Sequence, residues 1–248
     1  MKNLSSLLIE LKLQSFSENF ETALNRYPNC QKEIIELLEG LCLSELSHRK
    51  EKRVAYRIEQ ARFRQIQTVD TFNFKYNAST LKIKSRYLKL YTPDLIAQGI
   101  SVLLVGASGL GKSHLARALG YFFCQQGLRV RFTTLSAMTL DLTTADTTGT
   151  LKKAMFTYTQ PTLLIIDEIG YVSLRELESN LVFQIISQRY ENRRSTVITT
   201  NRPFGEWNQT FHNDAMAHAL LDRLIERSEV FFLEGKSYRE THRNRLKT

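Results

Sequence analysis

The chain has 248 residues, of which 42% are hydrophobic and 24% are charged, which is an ordinary balance for a folded soluble protein. This composition excludes a chain that is disordered by default. The formal net charge of +9 is less ordinary and leaves two explanations open. Either the chain binds a polyanion such as nucleic acid, or it has a basic surface that binds nothing.

The three cysteines are odd in number and too far apart in sequence for a close metal-ligand pair. We therefore expect reduced thiols in a cytoplasmic protein and no zinc site. Near the N-terminus, Glu10 and Lys12 interrupt the apolar stretch that a signal peptide requires. No later apolar run approaches the ~18 residues that span a bilayer. We expect neither secretion nor contact with a membrane.

Residues 4 to about 65 show helical spacing, interrupted clearly only near Pro28, which disfavours helix at Tyr27. Two apolar faces are predicted there, one from Leu4, Leu7, Leu8 and Leu11 and one from Ile34, Leu37, Leu38 and Leu41. Near residue 66 the pattern changes, and the segment DTFNFKYN interleaves aromatic with polar residues. We predict an all-helical N-terminal domain over residues 1–66 and a second domain over residues 67–248.

In the second domain, apolar strand-like segments alternate with helical ones. The predicted strands are Ile100–Val105, Arg129–Thr134, Thr162–Asp167, Thr196–Thr200 and Glu229–Leu233. The predicted helices cover residues 112–126, 136–158, 173–193 and 213–228. Such alternation indicates parallel βαβ units, and hence an α/β fold with helices on both faces of the sheet.

A glycine-rich segment follows the first predicted strand directly. It fits the pattern G-x-x-x-x-G-K-S without a gap, through Gly106, Ala107, Ser108, Gly109, Leu110, Gly111, Lys112 and Ser113. Its backbone N–H groups and the positive end of the following helix predict a phosphate site. Lys112 would reach the β- and γ-phosphates of ATP, and the Ser113 hydroxyl would bind Mg²⁺. A glycine-rich turn with an incidental Lys-Ser is the alternative, and the strand and helix on either side argue against it.

Two acids end the predicted strand LLIIDE, and ligands bind at the carboxyl ends of strands in parallel sheets. Asp167 is predicted to hold the Mg²⁺ shell, and Glu168 to polarise the attacking water. At the end of the next strand, the Asn201 amide can bond both the water and the γ-phosphate. Each polar side chain has a structural alternative as a turn former, which stays open for Asn201 before Arg202-Pro203.

Taken together, the motifs GASGLGKS, LLIIDE and VITTN, with the later LDRL and SYR, resemble the AAA+ ATPases, specifically the IstB-like helper ATPases of IS21-type transposons. Helicase loaders of the DnaC type share most of these features. The resemblance implies a P-loop AAA+ sheet and an arginine finger at Arg223, presented in trans to a neighbouring subunit. It implies a second sensor at Arg239 and, since only residues 240–248 follow, no C-terminal helical lid domain. Surface ion pairing is the alternative for both arginines.

Basic residues cluster in three places that could contact DNA. Arg49, Arg53, Arg57 and Arg64 form one predicted helical stripe, and Lys82, Lys84, Arg86 and Lys89 form a second cluster. Lys152 and Lys153 begin a helix before the acid-bearing strand, and we prefer them because the resemblance implies that an insert there lies on the inner rim of an assembly. A solvated face that binds nothing is the alternative.

The resemblance implies an oligomeric, Mg²⁺-dependent ATPase that assembles on duplex DNA and recruits and stimulates a transposase. It would be cytoplasmic and associated with the nucleoid when bound to DNA. Two other functions remain open. One is a helicase loader with the same chemistry in replication, and the other is an adaptor that binds nucleotide without hydrolysing it.

Overall fold

The computed structural model describes residues 3–245, with side chains described as far as Thr241. Close contacts divide the chain into two compact units, one ending at Tyr56 and the other beginning at Arg57. The boundary predicted at residues 66/67 lies inside the second unit, because Ala61 and Phe63 pack into the hydrophobic core of that unit.

The first unit contains three helices, α1 (Leu4–Glu10), α2 (Gln14–Leu24) and α3 (Gln31–Ala61), of which α3 continues past Tyr56. The apolar face predicted on α1 is buried, in a small core with Cys42. The face predicted on α3 is wrong in part: Leu38 packs against this core, but Leu37 and Leu41 are 64% and 58% exposed. With Leu38, the packed stripe consists of Ile35, Cys42 and Leu46, at spacings of three and four residues.

The second unit is an α/β domain. Its strands are β1 (Ser101–Gly106), β2 (Val130–Thr134), β3 (Leu163–Ile169), β4 (Ser195–Thr200) and β5 (Ser228–Leu233). Its helices are α4 (Ala78–Leu88), α5 (Pro93–Ala97), α6 (Lys112–Gln125), α7 (Leu135–Thr147), α8 (Leu151–Thr159), α9 (Glu176–Glu191), α10 (Asp214–Glu226) and α11 (Tyr238–Arg245), with short 3-10 helices at Val69–Thr71 and Phe204–Gln209. None of the helices between residues 3 and 245 is long and apolar enough to cross a bilayer.

The five strands form one parallel sheet in the order β2-β3-β4-β1-β5. Successive side chains of a strand point to opposite faces, and both faces are buried. Val102 and Leu104 of β1 lie in one core with α4 and α6, while Leu103 lies in a second core with α7, α9 and α10. The parallel sheet predicted from the alternating segments, covered on both faces, is confirmed.

The second unit differs locally from the sequence prediction, which does not include α4, α5 or α11. The helix predicted over residues 136–158 is two helices, α7 and α8, because Gly149 has a φ of 68° in the connection between them. Strand β3 continues past Asp167 to Ile169, and its register with β4 shifts between Ile166 and Ile169. All three cysteines are free thiols, as predicted.

Candidate nucleotide-binding site

The segment between β1 and α6 is closed on two sides by other parts of the chain. Gly109 has a φ of 81°, and a Cβ atom there would lie 2.1 Å from the Ser237 hydroxyl. Gly111 has a φ of 87°, and its Cβ would lie 2.4 Å from the Phe72 ring. The Tyr238 N–H also donates to the Gly109 carbonyl at 3.0 Å. Both glycines are therefore required by conformation and by space.

Lys112 begins α6 with its side chain folded back into this loop. Its Nζ donates to the Ala107 carbonyl at 2.7 Å. Burial lowers the pKa of Lys112 to about 8, against the attraction of Asp167, and the positive charge of Arg239 lowers it further. A partly desolvated cation of this kind is stabilised when an anion binds beside it.

Asp167 is 1% exposed and accepts hydrogen bonds from two hydroxyl groups. Ser113 Oγ donates to its Oδ1 at 2.8 Å, and Thr199 Oγ1 donates to the same oxygen. Hydroxyl and carboxylate oxygens are the hard donors that Mg²⁺ prefers, and a magnesium site needs only one or two carboxylates when phosphates and water supply the other ligands. The donor set of Ser113 and Asp167 therefore fits this ion. No cluster of three His, Cys, Asp or Glu side chains suited to a metal occurs among the described residues.

Glu168 lies at the irregularity between β3 and β4 and has a φ of 66°. Its N–H donates to Thr199 Oγ1 at 3.0 Å, so Thr199 links the backbone of Glu168 to the carboxylate of Asp167. Positive φ is strained for a residue with a side chain, at a cost of roughly 1–3 kcal/mol. The twist exposes the Glu168 side chain on the cavity wall, while Asp167 stays buried.

Asn201 follows β4 and lines the same cavity. Its Oδ1 is buried, and no donor for it occurs in the part of the chain that the structure describes. A Cβ atom on Gly170 would lie 2.7 Å from this oxygen, so Gly170 permits the close approach of the two strand ends. An unpaired buried acceptor is costly unless a ligand or water donates to it.

The cavity has a volume of about 330 Å³, and aromatic rings form part of its remaining wall. Phe72 contacts the His114 ring edge-to-face with centroids 5.2 Å apart, and Tyr76 meets Tyr238 in the same way at 4.9 Å. The Tyr76 hydroxyl donates to the Ser237 carbonyl at 3.2 Å. Flat apolar rings around a phosphate-type loop are suited to a heterocyclic base.

The two predicted arginines lie in different places. Arg239 is exposed and lines the cavity beside the loop. Arg223 lies on α10, outside the cavity lining, where its Nη1 donates to the Ala219 carbonyl at 2.8 Å. Its guanidinium stacks over the Phe183 ring, 5.0 Å from the centroid. The cavity therefore brings together the glycine loop, Glu168, Asn201 and Arg239, next to the buried Asp167. Arg223 of the same chain is not part of it.

The basic clusters differ in how far their charges are already engaged. Lys152 and Lys153 are both exposed in the first turn of α8. Arg49 pairs with Glu45 at 2.7 Å and donates to the Leu11 carbonyl.

The predicted arginine stripe is interrupted at other points as well. Arg53 is exposed, whereas Arg57 is only half-exposed and belongs to the second unit. Arg64 lies beyond the end of α3. The four arginines thus do not form one continuous stripe, since α3 ends early and Arg49 is occupied. In the second cluster, Arg86 pairs with Glu229.

A family comparison shows which family the chain belongs to. The model of the family described as IstB-like ATP binding protein matches residues 6–246. The chain belongs to this family. Among curated relatives of this IstB-like chain, an ATP-binding protein of insertion sequence IS21 from Pseudomonas aeruginosa is 31% identical over 242 residues, 96% of this chain and 89% of the relative. One of insertion sequence IS5376 from Geobacillus stearothermophilus is 33% identical over 204 residues, 82% and 80% of the two chains.

Solved structures agree with the IstB-like assignment at the level of the fold. The DnaC helicase loader aligns with a TM-score of 0.60 at 22% identity, over 67% of this chain and 96% of that one. DnaA from Aquifex aeolicus, bound to AMPPCP, aligns with a TM-score of 0.59 at 18% identity, over 73% and 54%. The IstB-like chain therefore has the P-loop AAA+ α/β fold, as predicted.

Three features of this IstB-like site are absent from the sequence prediction. Thr199 bridges the two acids, Phe72 and Tyr76 form the aromatic wall, and Arg117 contacts Asp167. The run of alternating aromatic residues before the sheet is a usable signal for the wall, although its pattern alone indicates only a domain boundary. Thr199 and Arg117 carried no signal, because their roles depend on contacts between separate segments.

Proposed function

We propose that this IstB-like protein binds ATP with Mg²⁺ and hydrolyses it. One observation carries the proposal: a single cavity is bordered by the glycine loop with Lys112, by the Ser113–Asp167 hydrogen bond of 2.8 Å and by the exposed side chain of Glu168. A cavity near 330 Å³ is within the range of small-molecule sites. The family description and the names of the two relatives, which refer to ATP binding, support the nucleotide.

In the proposed reaction, the loop N–H groups and Lys112 hold the phosphates, while Phe72 and Tyr76 face the base. Ser113 and Asp167 would hold Mg²⁺, which would neutralise part of the phosphate charge. Glu168 accepts a hydrogen bond from the attacking water and polarises it. Asn201 Oδ1 accepts a second bond from that water, which would satisfy its unpaired lone pairs.

We further propose that hydrolysis requires a neighbouring subunit, which presents Arg223 to the γ-phosphate. Arg223 does not line the cavity of its own chain. It lies on α10, where its guanidinium stacks over Phe183 and its side chain is half-exposed. A guanidinium delivered from another subunit would stabilise negative charge that develops during phosphoryl transfer. Arg239 would act on the nucleotide bound by its own chain.

We propose that the ATP-driven assembly binds duplex DNA and recruits a transposase. The names of the relatives assign them to insertion sequences, and the net charge of +9 suits a polyanionic partner. Lys152 and Lys153 are the preferred contacts because both are exposed on one helix turn. Backbone contacts of this kind give salt-sensitive binding that is tolerant of sequence.

Glu168→Gln tests the catalytic part of the proposal, with release of phosphate over many turnovers measured with and without duplex DNA. We expect the variant to bind ATP and DNA like the parent and to lose hydrolysis by about 100-fold or more, because a general-base contribution is typically of that size. Hydrolysis at the parental rate would contradict the role of Glu168. If the parent itself shows no turnover with or without DNA, a non-hydrolysing adaptor is the better description.

The partner is tested by affinity capture with ATP present, offering the transposase of an IS21-type element and a replicative helicase in parallel. We expect the transposase to be retained. Retention of the helicase alone would favour a helicase loader. Lys152→Ala combined with Lys153→Ala should flatten the dependence of DNA affinity on salt, and an unchanged slope would assign the contact to other residues.

A further inference from the structure

Besides Arg239, the arginine Arg117 also borders the nucleotide-binding cavity. It is four residues after Ser113 on α6, so the two side chains share a helix face. Its Nη2 lies 3.5 Å from Asp167 Oδ2. This is the carboxylate oxygen that accepts no hydrogen bond from the Ser113 and Thr199 hydroxyl groups. The Arg117 side chain is 16% exposed and borders the cavity.

The contacts of Arg117 are few and long for a buried guanidinium. Nη1 reaches Gln67 Oε1 only at 3.5 Å, and Nε has no acceptor in the described part of the chain. The guanidinium carbon lies 5.0 Å from the centre of the Phe132 ring, which supports the group from β2. Burial of a charge with so little hydrogen bonding is costly, so its attraction to Asp167 is the main compensation.

The carboxylate of Asp167 is thus held in two ways. Hydroxyl groups occupy Oδ1, and the positive charge of Arg117 stands beside Oδ2. A divalent cation bound by Ser113 and Asp167 would compete with Arg117 for the same negative charge. Without such a cation, Arg117 offsets the negative charge of Asp167 at Oδ2, in addition to the attraction between Lys112 and Asp167.

We propose that Arg117 is a resident counter-cation for Asp167, which gives the site affinity for nucleotide phosphate without Mg²⁺ and lowers its dependence on this ion. The inference rests on the proposed binding of ATP. Arg117 is a positioning residue here, because it acts on the phosphates through the charge of Asp167. The general consequence is a site that can hold nucleotide before the metal ion is in place.

The test compares the Kd of ATP with excess EDTA and with saturating Mg²⁺, using a fluorescent ATP analogue, in Arg117→Met and in the parent. The ratio of the two constants, without Mg²⁺ over with Mg²⁺, is the readout. We expect Arg117→Met to raise this ratio by about five-fold or more. Without Mg²⁺ the variant leaves the charge of Asp167 uncompensated at Oδ2, whereas bound Mg²⁺ compensates that charge in both proteins. Arg117→Lys keeps the charge but loses the stacking on Phe132, and it should change the ratio less than Arg117→Met does.

Arg131→Met is the matched control. Arg131 lies on β2, stacks over Tyr158 at 5.7 Å and does not border the cavity. The Arg131→Met variant should leave the ratio unchanged. It distinguishes the effect of losing a stacked arginine from the effect of losing the positive charge beside Asp167. If Arg117→Met does not fold, as judged by thermal unfolding, Arg117→Gln replaces it in the same comparison.

The outcomes separate this inference from the proposed function. A raised ratio in the Met or Gln variant, with a smaller change in Arg117→Lys and a parental ratio in Arg131→Met, supports the role of Arg117. A parental ratio in a folded Met or Gln variant that binds ATP overturns it and leaves the proposed function intact. Absence of ATP binding in the parent itself would overturn the proposed function instead.

Discussion

At the carboxyl ends of the strands, hydrogen bonds join side chains that are far apart in sequence, whereas the N-terminal unit leaves large apolar side chains at its surface. Ser113 and Thr199 both donate to the buried Asp167. In the N-terminal unit, Ile9 is 69% exposed and Leu37 is 64% exposed. The two regions belong to different compact units.

The difference follows from the size of the two cores. The sheet of the second unit is buried on both faces, so its strand ends are held rigidly and can position polar groups to within a few tenths of an ångström. The N-terminal core contains five buried side chains, four leucines and Cys42. So small a core is marginal in stability.

Among the substitutions that test this contrast, Gly111→Ala should have the largest effect. Its Cβ would lie 2.4 Å from the Phe72 ring in a backbone conformation with a φ of 87°. We expect ATP affinity to fall by about 100-fold or more, because backbone strain of roughly 1–3 kcal/mol adds to a collision with a packed ring. Isothermal titration with ATP and Mg²⁺ measures the change.

Gly127→Ala is the control for strain alone. Gly127 has a φ of 79°, but a Cβ atom there would meet nothing within 4 Å. This variant should be slightly less stable and should bind ATP like the parent. An equal loss of ATP affinity in both variants would mean that the packing of Phe72 against the loop is unimportant for the site.

The affinity for ATP should depend on pH through Lys112. Burial lowers the pKa of Lys112 to about 8 in the nucleotide-free site, and bound phosphate favours the charged lysine. Below pH 8 the lysine is already protonated and affinity should be constant. Above pH 8 binding must take up a proton, so affinity should fall by up to about ten-fold per pH unit.

Titration calorimetry in buffers of different ionisation enthalpy measures this proton uptake directly. Lys112→Arg is the comparison, because its guanidinium remains charged throughout the range. In the N-terminal unit, the hydrogen bond from Arg49 lowers the pKa of the Glu45 carboxyl, so this group does not titrate in the same pH range as Lys112. Equal proton uptake in the parent and in Lys112→Arg would exclude Lys112 as its source.

Much of the second unit was predictable, because its strands are continuous apolar runs and its glycine loop has a fixed pattern. The positions of Lys112, Ser113, Asp167 and Asn201 follow from the rule that strand ends meet at one edge of a parallel sheet. Thr199 and Arg117 could not be predicted, since each acts on Asp167 from another element. The roles assigned to Glu168 and Arg223 remain predictions.

The N-terminal helices were predicted less well for a physical reason. Along α3, apolar residues fall on two adjacent stripes, and periodicity alone does not say which stripe meets α1. Packing selects Ile35 and Leu38 together with Cys42, which leaves Leu37 and Leu41 outside. Long-range contacts decide such cases, whereas the local sequence decides the phosphate loop.

Gly40→Ala should have the smallest effect and the opposite sign to Gly111→Ala. Gly40 lies within α3, is exposed, and would present its Cβ to open space. We expect it to stabilise the N-terminal unit by up to about 1 kcal/mol, because alanine loses less backbone entropy than glycine in a helix. Thermal unfolding followed by circular dichroism measures the gain, and the affinity for ATP should not change. Destabilisation by this methyl group would mean that the face of α3 around Gly40 is covered in the protein, and the contrast between an open helical surface and a closed phosphate loop would then fail.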